Sequence, residues 1–389
     1  MPFMYISRLS EPKITESLKN FPVTAILGPR QCGKSTLIKR LFSEKPGFVY
    51  LDLERPSDMR KLDEAEWFLQ SQKGKQICLD EIQRKSELFP LIRSLVDDWG
   101  GNGHFLILGS ATHELLRQSS ESLAGRINYL PLTPFLWNEI SNDYTVENLL
   151  SRGGFPRSLL SENDNISYDW RNSFITTFLE RDLSFWSGFS PLTMRRLWQM
   201  LSHLNGQLIN YSNIGAALGT SNTTVRNYID LLAETYMLHV LPPFLPNIGK
   251  RLIKTPKVYI ADSGIAGALI GLRNFDEISG HPTLGALWES VVLTTLKGNF
   301  TDAYFYFYRS GHGAEIDIIM DHPRSLIAIE CKASASPSVS RGTYLAAADN
   351  HIRNILVVSP VVKGWQVNEK TEIVSLSEAV LKIRGILNL

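Results

Sequence analysis

Cysteine, long apolar runs and an excess of one charge are all scarce in this sequence of 389 residues. The three cysteines, Cys32, Cys78 and Cys331, are far apart and show no ligand-like spacing, which argues against a zinc site and a disulfide framework. No apolar run approaches the roughly 18 residues of a membrane span, and the N-terminus lacks the pattern of a signal peptide. We therefore expect a soluble, cytoplasmic protein with no membrane partner.

The charge balance is nearly neutral, with 40 Lys and Arg against 39 Asp and Glu. Any binding of nucleic acid must therefore come from a local basic patch rather than from the whole chain. Apolar residues make up 43% and charged residues 20%, which is ordinary for a globular protein and excludes disordered and low-complexity classes. At roughly 100 to 200 residues per domain, the length predicts two or three domains.

The pattern of apolar residues changes twice along the chain. Short apolar runs alternate with mixed segments near the N-terminus, which predicts a β-α-β-α order and a parallel sheet buried on both faces; they lie at 23–27, 48–51, 77–79, 105–108 and 127–130. Helical spacing dominates from 145 to 245, and strand-like runs return after Pro256 at 304–308, 316–320, 326–331 and 355–358. We predict domains at 1–145, 146–262 and 263–389, the last being a second α/β domain.

A phosphate-binding loop follows the first predicted strand. The segment from Gly28 to Ser35 fits G-x-x-x-x-G-K-[ST] at every fixed position and precedes a helical segment. Backbone N–H groups of such a loop converge on phosphate, Lys34 adds a positive charge, and the Ser35 hydroxyl is a ligand for Mg²⁺. The residues predicted to bind ATP are Gly28, Pro29, Arg30, Gln31, Cys32, Gly33, Lys34, Ser35 and Thr36.

A second element should supply carboxylates to the metal ion and the attacking water. Asp80 at the end of the strand 77–79 is predicted to hold Mg²⁺ with Ser35, and Glu81 to polarise water. Ser110, after the next strand, is either a sensor of the γ-phosphate or part of a plain Gly-Ser turn. Arg126 is either a solvated surface residue or a positive charge for the transition state, supplied in cis or by a neighbouring subunit.

These strings together resemble a known family, the prokaryotic AAA-type ATPases that carry a C-terminal domain of unknown function. The resemblance spans most of the chain and includes GPRQCGKSTL, ICLDEIQ, LAGRINYLPLTPF, KVYIADSGI and AEIDIIM followed by AIECKAS. It implies an ASCE-type sheet in which another strand separates the Asp80 strand from the first strand. It also implies that Arg126 is a finger or sensor residue.

The helical middle contains a predicted helix-turn-helix. Ile214, Leu218, Val225 and Tyr228 have the required apolar spacing, with Gly219 in the turn. Strands at 238–241 and 257–260 would form a wing. The residues predicted to contact DNA are Asn222, Thr223, Arg226, Lys250, Arg251, Lys254 and Lys257. The alternatives are a helical lid with solvated lysines and a winged helix that binds protein.

A nuclease-like set of residues lies near the C-terminus. Asp317 is followed by Glu330 and Lys332, which share one face of a strand, and Glu289 on a preceding helix completes the carboxylates. The spacing is similar to the D...ExK pattern of the restriction-endonuclease-like (PD-(D/E)xK) fold, although no proline precedes Asp317. The alternatives are a solvated Glu/Lys pair on an amphipathic strand and the same fold used only for binding.

Taken together, the sequence predicts an ATP-hydrolysing AAA-type protein that requires Mg²⁺ and is directed to DNA, with a C-terminal domain that either cleaves or only binds DNA. The alternative function is a regulatory switch ATPase whose C-terminal domain binds a protein partner. Self-association into a homo-oligomer is compatible with both.

Overall fold

Residues 5–110, 119, 121–183, 190–245, 254–311 and 313–389 are described by a computed structural model of the chain. The chain divides into two units, Met1–Phe135 with Glu234–Tyr236, and Leu136–Ala233 with Met237–Leu389. The three-domain boundaries expected from the sequence remain predictions. No helix in the described ranges is both long and apolar enough to span a bilayer.

The first unit is built on a parallel five-stranded sheet, as the apolar runs predict. Its strands are β1 (Val23–Leu27), β2 (Phe48–Asp52), β3 (Gln76–Asp80), β4 (Phe105–Gly109) and β5 (Ile127–Pro131), in the spatial order β2-β3-β4-β1-β5. β4 therefore lies between β1 and β3, which agrees with the sheet order that the resemblance implies.

Alternate residues of the central strands supply two apolar layers, because successive side chains of a strand point to opposite faces. The helices of this unit are α1 (Ser10–Asn20), α2 (Lys34–Phe42), α3 (Pro56–Lys61), α4 (Ala65–Ser71) and α5 (Leu88–Trp99), with a 3₁₀ turn at Ile82–Lys85. Ile26 packs with α1 and α2, whereas Ala25 and Leu27 pack with α5. The phosphate-binding loop (P-loop, residues 28–36) therefore leaves this buried sheet at the carboxyl end of β1.

The second unit begins with a helical region. Its helices are α6 (Trp137–Ile140), α7 (Val146–Arg152), α8 (Pro156–Leu159), α9 (Asp164–Thr177), α10 (Pro191–His203), α11 (Tyr211–Leu218) and α12 (Asn222–Glu234), with a π-helical turn at Phe178–Asp182. An antiparallel pair follows, β6 (Leu238–Leu241) with β7 (Lys257–Ile260). Next come α13 (Ser263–Leu269) and α14 (Phe275–Ser279).

A mixed six-stranded sheet completes the second unit. It is preceded by α15 (Leu284–Asn299) and contains β8 (Tyr304–Arg309), β9 (Glu315–His322), β10 (Ser325–Cys331), β11 (Asn354–Val358), β12 (Trp365–Asn368) and β13 (Thr371–Val374), with α16 (Arg341–Asp349) before β11 and α17 (Leu376–Leu387) at the end. The spatial order is β12-β13-β11-β10-β9-β8. β9 is antiparallel to β8 and β10, whereas β10 and β11 are parallel.

A buried guanidinium joins the helices of the second unit. Arg171 of α9 is fully buried and donates to the carbonyls of Gly264 and Arg273, each at 3.0 Å. Burial lowers the pKa of Arg171 to about 10, so this side chain stays charged at neutral pH. The carbonyl of Gly264 is thus held in place where α7 and α13 approach each other.

We predict that Gly264→Ala destabilises the protein, because the close approach of α13 to α7 leaves no room for a methyl group. A Cβ at this position would overlap the carbonyl of Arg152 and lie 2.6 Å from the Gly153 nitrogen. We expect a loss of about 2 kcal/mol in unfolding free energy, measured by urea denaturation. Gly285→Ala is the control, since a Cβ there meets no atom within 4 Å. Equal stability of the two variants would contradict the prediction.

Candidate functional site

The loop between β1 and α2 has the shape of a phosphate cradle. Gln31 and Gly33 adopt left-handed φ angles of 60° and 104°, which turn the chain sharply before α2 begins. A Cβ at Gly28 would overlap the carbonyl of Leu132, so the loop passes too close to that strand end for a larger residue. The first N–H groups of α2 have no intrahelical acceptor, and they line the curve as donors for an anion.

Lys34 spans this curve from inside the loop. Its side chain is buried, and the Nζ ammonium donates to the carbonyls of Gly28 at 2.9 Å and Pro29 at 2.8 Å. These acceptors are neutral, so the positive charge of the ammonium is solvated but not cancelled. The loop therefore presents an uncompensated cation to an entering phosphate.

Arg8, which lies outside the motif, also holds the phosphate-binding loop in place. Arg8 is buried, and its guanidinium donates to the carbonyl of Cys32 at 3.1 Å and of Thr133 at 2.7 Å. The bond ties the loop to the chain segment after β5. The sequence does not reveal Arg8 as part of the site, because this residue is 24 positions from Cys32 and belongs to no motif.

Ser35 and Asp80 meet as the motifs predict. The Ser35 Oγ donates to the Asp80 Oδ2 at 2.6 Å, and the hydroxyl of Tyr50 on the neighbouring strand donates to the same oxygen. Asp80 is buried, and its Oδ1 has no hydrogen-bond partner within the described residues. A buried carboxylate oxygen left open beside a serine hydroxyl fits a hard, oxygen-binding cation such as Mg²⁺.

Tyr50 belongs to this site through its hydrogen bond to Asp80, although no sequence motif contains it. Burial raises the pKa of its hydroxyl well above the usual value, and the hydrogen bond to Asp80 adds to this shift. Tyr50 therefore stays protonated and orients the Asp80 carboxylate as a donor. The segment Phe48–Asp52 reads as an ordinary aromatic strand, so nothing in the sequence distinguishes this tyrosine.

Glu81 and Ser110 are joined by one glutamine. Glu81 adopts a left-handed φ of 60°, which is uncommon for a residue other than glycine and is typical of functional sites. The Gln83 side-chain amide donates to the Glu81 carboxylate and, at 3.2 Å, to the Ser110 hydroxyl. The Arg30 guanidinium lies 3.9 Å from the same Glu81 carboxylate. The water-activating and sensor candidates thus share one polar cluster.

Arg126 lies at the opposite edge of this sheet, so the prediction that it acts in cis is wrong. Its carbonyl accepts from the N–H of Val23 at the start of β1, whereas the P-loop follows the end of β1. The guanidinium pairs with Asp97 through Nε at 2.5 Å. A parallel sheet separates its two edges by the length of the strands. Only a role for Arg126 in a neighbouring subunit's site remains as a prediction.

A second polar cluster lies in the C-terminal sheet and contains the nuclease-like residues. The Cys331 N–H donates to the Asp317 Oδ2 at 2.9 Å, and Lys332 Nζ lies 2.7 Å from the Glu330 Oε1. The Glu330 carboxylate is buried, and its Oε2 has no hydrogen-bond partner within the described part of the chain. The arrangement leaves one open carboxylate oxygen beside Lys332.

Strand β7 faces the same carboxylates with two residues that the sequence analysis did not assign to them. The Tyr259 hydroxyl donates to the Glu289 Oε2 at 2.8 Å. The Lys257 Nζ lies 2.8 Å from the Glu315 Oε1. Lys257 is only 4% exposed, so the prediction that it belongs to a DNA-binding patch is wrong: its charge is turned inward to a carboxylate.

Several carboxylate and ammonium groups of this cluster are poorly solvated, and their pKa values are shifted. Burial raises the pKa of Glu289 to about 8, with the charge of Asp317 adding to the shift. Burial also raises the pKa of Glu330 to about 7 and that of Asp317 above its usual value. Burial lowers the pKa of Lys257, but Glu289, Asp317 and Glu315 outweigh it and raise the value overall, so this lysine stays charged.

This cluster is not arranged as a complete metal centre. In the ranges that the structure describes, no three His, Cys, Asp or Glu side chains converge closely enough to hold a metal ion. Asp317 and Glu330 flank Cys331 and offer at most a partial ligand set. The other carboxylates are engaged by Lys257 and Tyr259.

Two helices, α11 and α12, lie on either side of the turn at Gly219, and their assignment to a DNA-binding helix-turn-helix stays a prediction. Gly219 ends α11 with a φ of 65°, and the Ser221 Oγ accepts from the Thr224 N–H at the start of α12. Asn222, Thr223 and Arg226 are exposed on α12. Lys254 is also exposed, whereas Lys250 and Arg251 lie outside the described residues. Their contact with DNA stays a prediction.

Three domain profiles match consecutive parts of this chain. An AAA domain matches residues 20–141, and domains of unknown function match 143–276 (DUF8612) and 284–384 (DUF4143). The loop 28–36, Asp80 and Glu81 lie within the AAA match. The AAA part of the resemblance is confirmed, and the restriction-endonuclease-like fold of the C-terminal part stays a prediction.

Relatives over most of the length are found among bacterial proteins. Uncharacterized proteins of Mycobacterium bovis and Mycobacterium tuberculosis are each 35% identical over 349 residues, covering 90% of this chain and 78% of theirs. An uncharacterized protein of Haemophilus influenzae is 24% identical over 302 residues, covering 69% of this chain and 73% of its own.

Similarity to solved structures is remote. A signal transduction ATPase with numerous domains and a tetratricopeptide repeat sensor, from Pyrococcus horikoshii, aligns at 12% identity with a TM-score of 0.29. The alignment covers 76% of this chain but 46% of that one. Drosophila ORC bound to AT-rich DNA and Cdc6 aligns at 11% identity with a TM-score of 0.22, covering 66% and 88%. Scores this low support no inference about this chain.

We predict that stability in metal-free buffer depends on the protonation of Glu289. Its pKa of about 8 in the folded chain exceeds the ordinary 4.5, so the stabilisation is complete below about pH 4.5 and is lost as the pH rises to about 8. Glu289→Gln should reduce the loss of unfolding free energy between pH 5 and 8.5 by about 3 kcal/mol, measured by urea denaturation with a chelator.

Glu369→Gln is the matched control, since Glu369 is exposed in the same C-terminal region. This variant should keep the wild-type dependence on pH. A wild-type dependence in the Glu289→Gln variant would show that the prediction is wrong.

Proposed function

We propose that this chain binds ATP with Mg²⁺ and hydrolyses it. The chain belongs to the same family as the two mycobacterial proteins, and it carries an AAA domain. The observation that carries the proposal is the pairing of Ser35 with Asp80, which leaves the buried Asp80 Oδ1 open. A chance glycine-rich turn would not bring a serine hydroxyl and a buried carboxylate together at its mouth.

Each residue of this site has a distinct role in the proposal. The loop 28–36 would bind the phosphates, with Lys34 moving from the carbonyls of Gly28 and Pro29 to phosphate oxygens. Ser35 and Asp80 would hold Mg²⁺, which neutralises charge on the phosphates. Glu81 would accept a proton from water, and Gln83 would keep Glu81 beside Ser110.

We predict that Lys34→Ala lowers ATP turnover by at least about 100-fold, because the neutral variant leaves charge on the phosphates unbalanced. Glu81→Gln should lower turnover by a similar factor while nucleotide binding is retained, since it removes the base and keeps the cradle. Phosphate release and binding of a fluorescent ATP analogue measure the two effects.

Lys13→Ala, at an exposed position of α1, controls for the loss of any lysine and should leave turnover unchanged. Undiminished hydrolysis by Lys34→Ala would refute the proposal. Loss of binding in Glu81→Gln would instead remove the assignment of Glu81 as the base.

A second function, phosphodiester chemistry or binding on DNA, is favoured by the C-terminal cluster. The open Glu330 Oε2 beside the Lys332 ammonium offers a place for a cation and an anion together. Asp317 and Glu330 would hold a divalent ion, which supplies charge neutralisation at a scissile phosphate. Lys332 would bind the phosphate. The exposed Asn222, Thr223 and Arg226 of α12 are the candidate contacts that bring DNA to the chain.

We predict DNA cleavage in Mg²⁺ or Mn²⁺ that falls by at least about 100-fold in Asp317→Asn and in Lys332→Met, because the first change weakens a ligand of the divalent ion and the second removes the positive charge that would face the phosphate. Duplex, branched and single-stranded substrates are compared on gels. Asp143→Asn, at an exposed position outside the cluster, should cleave like the wild type.

Cleavage that survives Asp317→Asn would exclude this site as its source. No cleavage on any substrate, with DNA binding that weakens steeply with salt, would favour the binding role of the same domain. ATP-dependent self-association without DNA affinity would favour the regulatory switch.

A further inference from the structure

Lys257 is a buried lysine whose ammonium group pairs with one carboxylate and lies near two others. It begins β7 at 4% exposure, and its Nζ contacts the Glu315 Oε1 at 2.8 Å. Glu315 and Asp317 are two residues apart on β9, so their side chains leave the same face of that strand. A lysine is rarely buried unless it is paired, so this placement requires a compensating charge.

The same face of β7 also contacts Glu289, the carboxylate residue on α15. Tyr259 is two residues after Lys257, and its hydroxyl donates to the Glu289 Oε2 at 2.8 Å. β7 therefore supplies both a positive charge to β9 and a hydrogen-bond donor to α15. One strand from the helical region supports carboxylates of two other elements.

The carboxylates of the cluster outnumber its cations. The four acidic groups are Glu289, Glu315, Asp317 and Glu330, and the three cations are Lys257, Lys332 and Arg309, whose Nε lies 3.6 Å from the Glu315 Oε2. The buried Glu330 Oε2, which has no hydrogen-bond partner within the described residues, independently marks an acceptor that a ligand would satisfy.

We propose that Lys257 is the resident counter-ion of this cluster, and that a divalent cation binds the carboxylates in competition with its ammonium. The proposal rests on the C-terminal function proposed above and explains why the carboxylates do not form a preassembled metal centre. Lys257 pairs with Glu315, and its positive charge lies near Glu289 and Asp317. Lys332 is a third exposed and pairs with Glu330. A divalent ion entering beside Asp317 meets the fixed charge of Lys257, which opposes its binding.

The test is the affinity of nucleotide-free protein for Mn²⁺, measured by the electron paramagnetic resonance signal of the unbound ion. The wild type should bind weakly, and Lys257→Met should bind at least about tenfold more tightly, because the competing charge is gone. Lys257→Arg keeps the charge and should bind as weakly as the wild type. Lys254→Met, at an exposed position three residues earlier, is the matched control and should not change the affinity.

A second measurement does not depend on one variant. Mn²⁺ should raise the melting temperature of Lys257→Met or Lys257→Gln more than that of the wild type, since the ion replaces the missing charge. Tight, Asp317-dependent binding of Mn²⁺ by the wild type would overturn the proposal even if neither variant folds. So would equal or weaker binding by the variants.

Asp317→Asn separates the two proposals. Binding that is lost in Asp317→Asn but is indifferent to Lys257 leaves the cluster as a metal site and removes the counter-ion role. Binding that is indifferent to both changes removes the metal site itself. Tighter binding in Lys257→Met that disappears in the double variant with Asp317→Asn supports both.

Discussion

The common direction of five strands decides which residues of the first unit can meet a nucleotide. Because β1, β3 and β4 are parallel and in register, their carboxyl ends form one edge of the sheet. The phosphate-binding loop and Ser110 follow strand ends at that edge, and Asp80 is the last residue of β3. Arg126 precedes β5, so the same constraint places it at the other edge. The order and direction of the strands therefore determine which residues of this unit lie at the edge that carries the phosphate-binding loop.

Buried charge is the corresponding constraint in the second unit. A carboxylate in a poorly solvated place must be protonated, hydrogen-bonded or paired with a cation. Tyr259 and the Cys331 N–H provide hydrogen bonds to Glu289 and Asp317, and Lys257 provides a charge to Glu315. These partners come from elements that are distant in sequence. The cluster is thus a property of the folded unit and not of the strand pair that contains the ExK string.

Local patterns predicted the elements well and the partners of buried charges poorly. The runs at 23–27, 238–241 and 257–260 became strands with those limits, because apolar residues between breakers specify a buried strand. The strands Trp365–Asn368 and Thr371–Val374 were missed, since one is exposed throughout and neither is an apolar run. Lys257 was misplaced because a lysine at a strand end reads as solvated unless the fold is known.

The site residues likewise form two groups, those that belong to a sequence motif and those that do not. Lys34, Ser35 and Asp80 belong to motifs whose spacing encodes their geometry, so the sequence identified them together. Arg8, Tyr50 and Gln83 reach the site residues through side-chain hydrogen bonds, and no spacing rule describes them. A side chain that supports a motif from another element is visible only after the chain has folded.

The two clusters differ in what surrounds their buried lysine, and this difference predicts which ligand each attracts. Lys34 is held by neutral carbonyls, so its charge remains available and favours an anion. Lys257 is held by a carboxylate with two more nearby, so its charge is consumed and the surroundings stay negative. Under the proposals above, the first site would release its lysine to phosphate, whereas the second would release its carboxylates from the lysine before a cation enters. We therefore expect direct binding at the phosphate-binding loop and competitive binding at the C-terminal cluster, although each site leaves one buried carboxylate oxygen open.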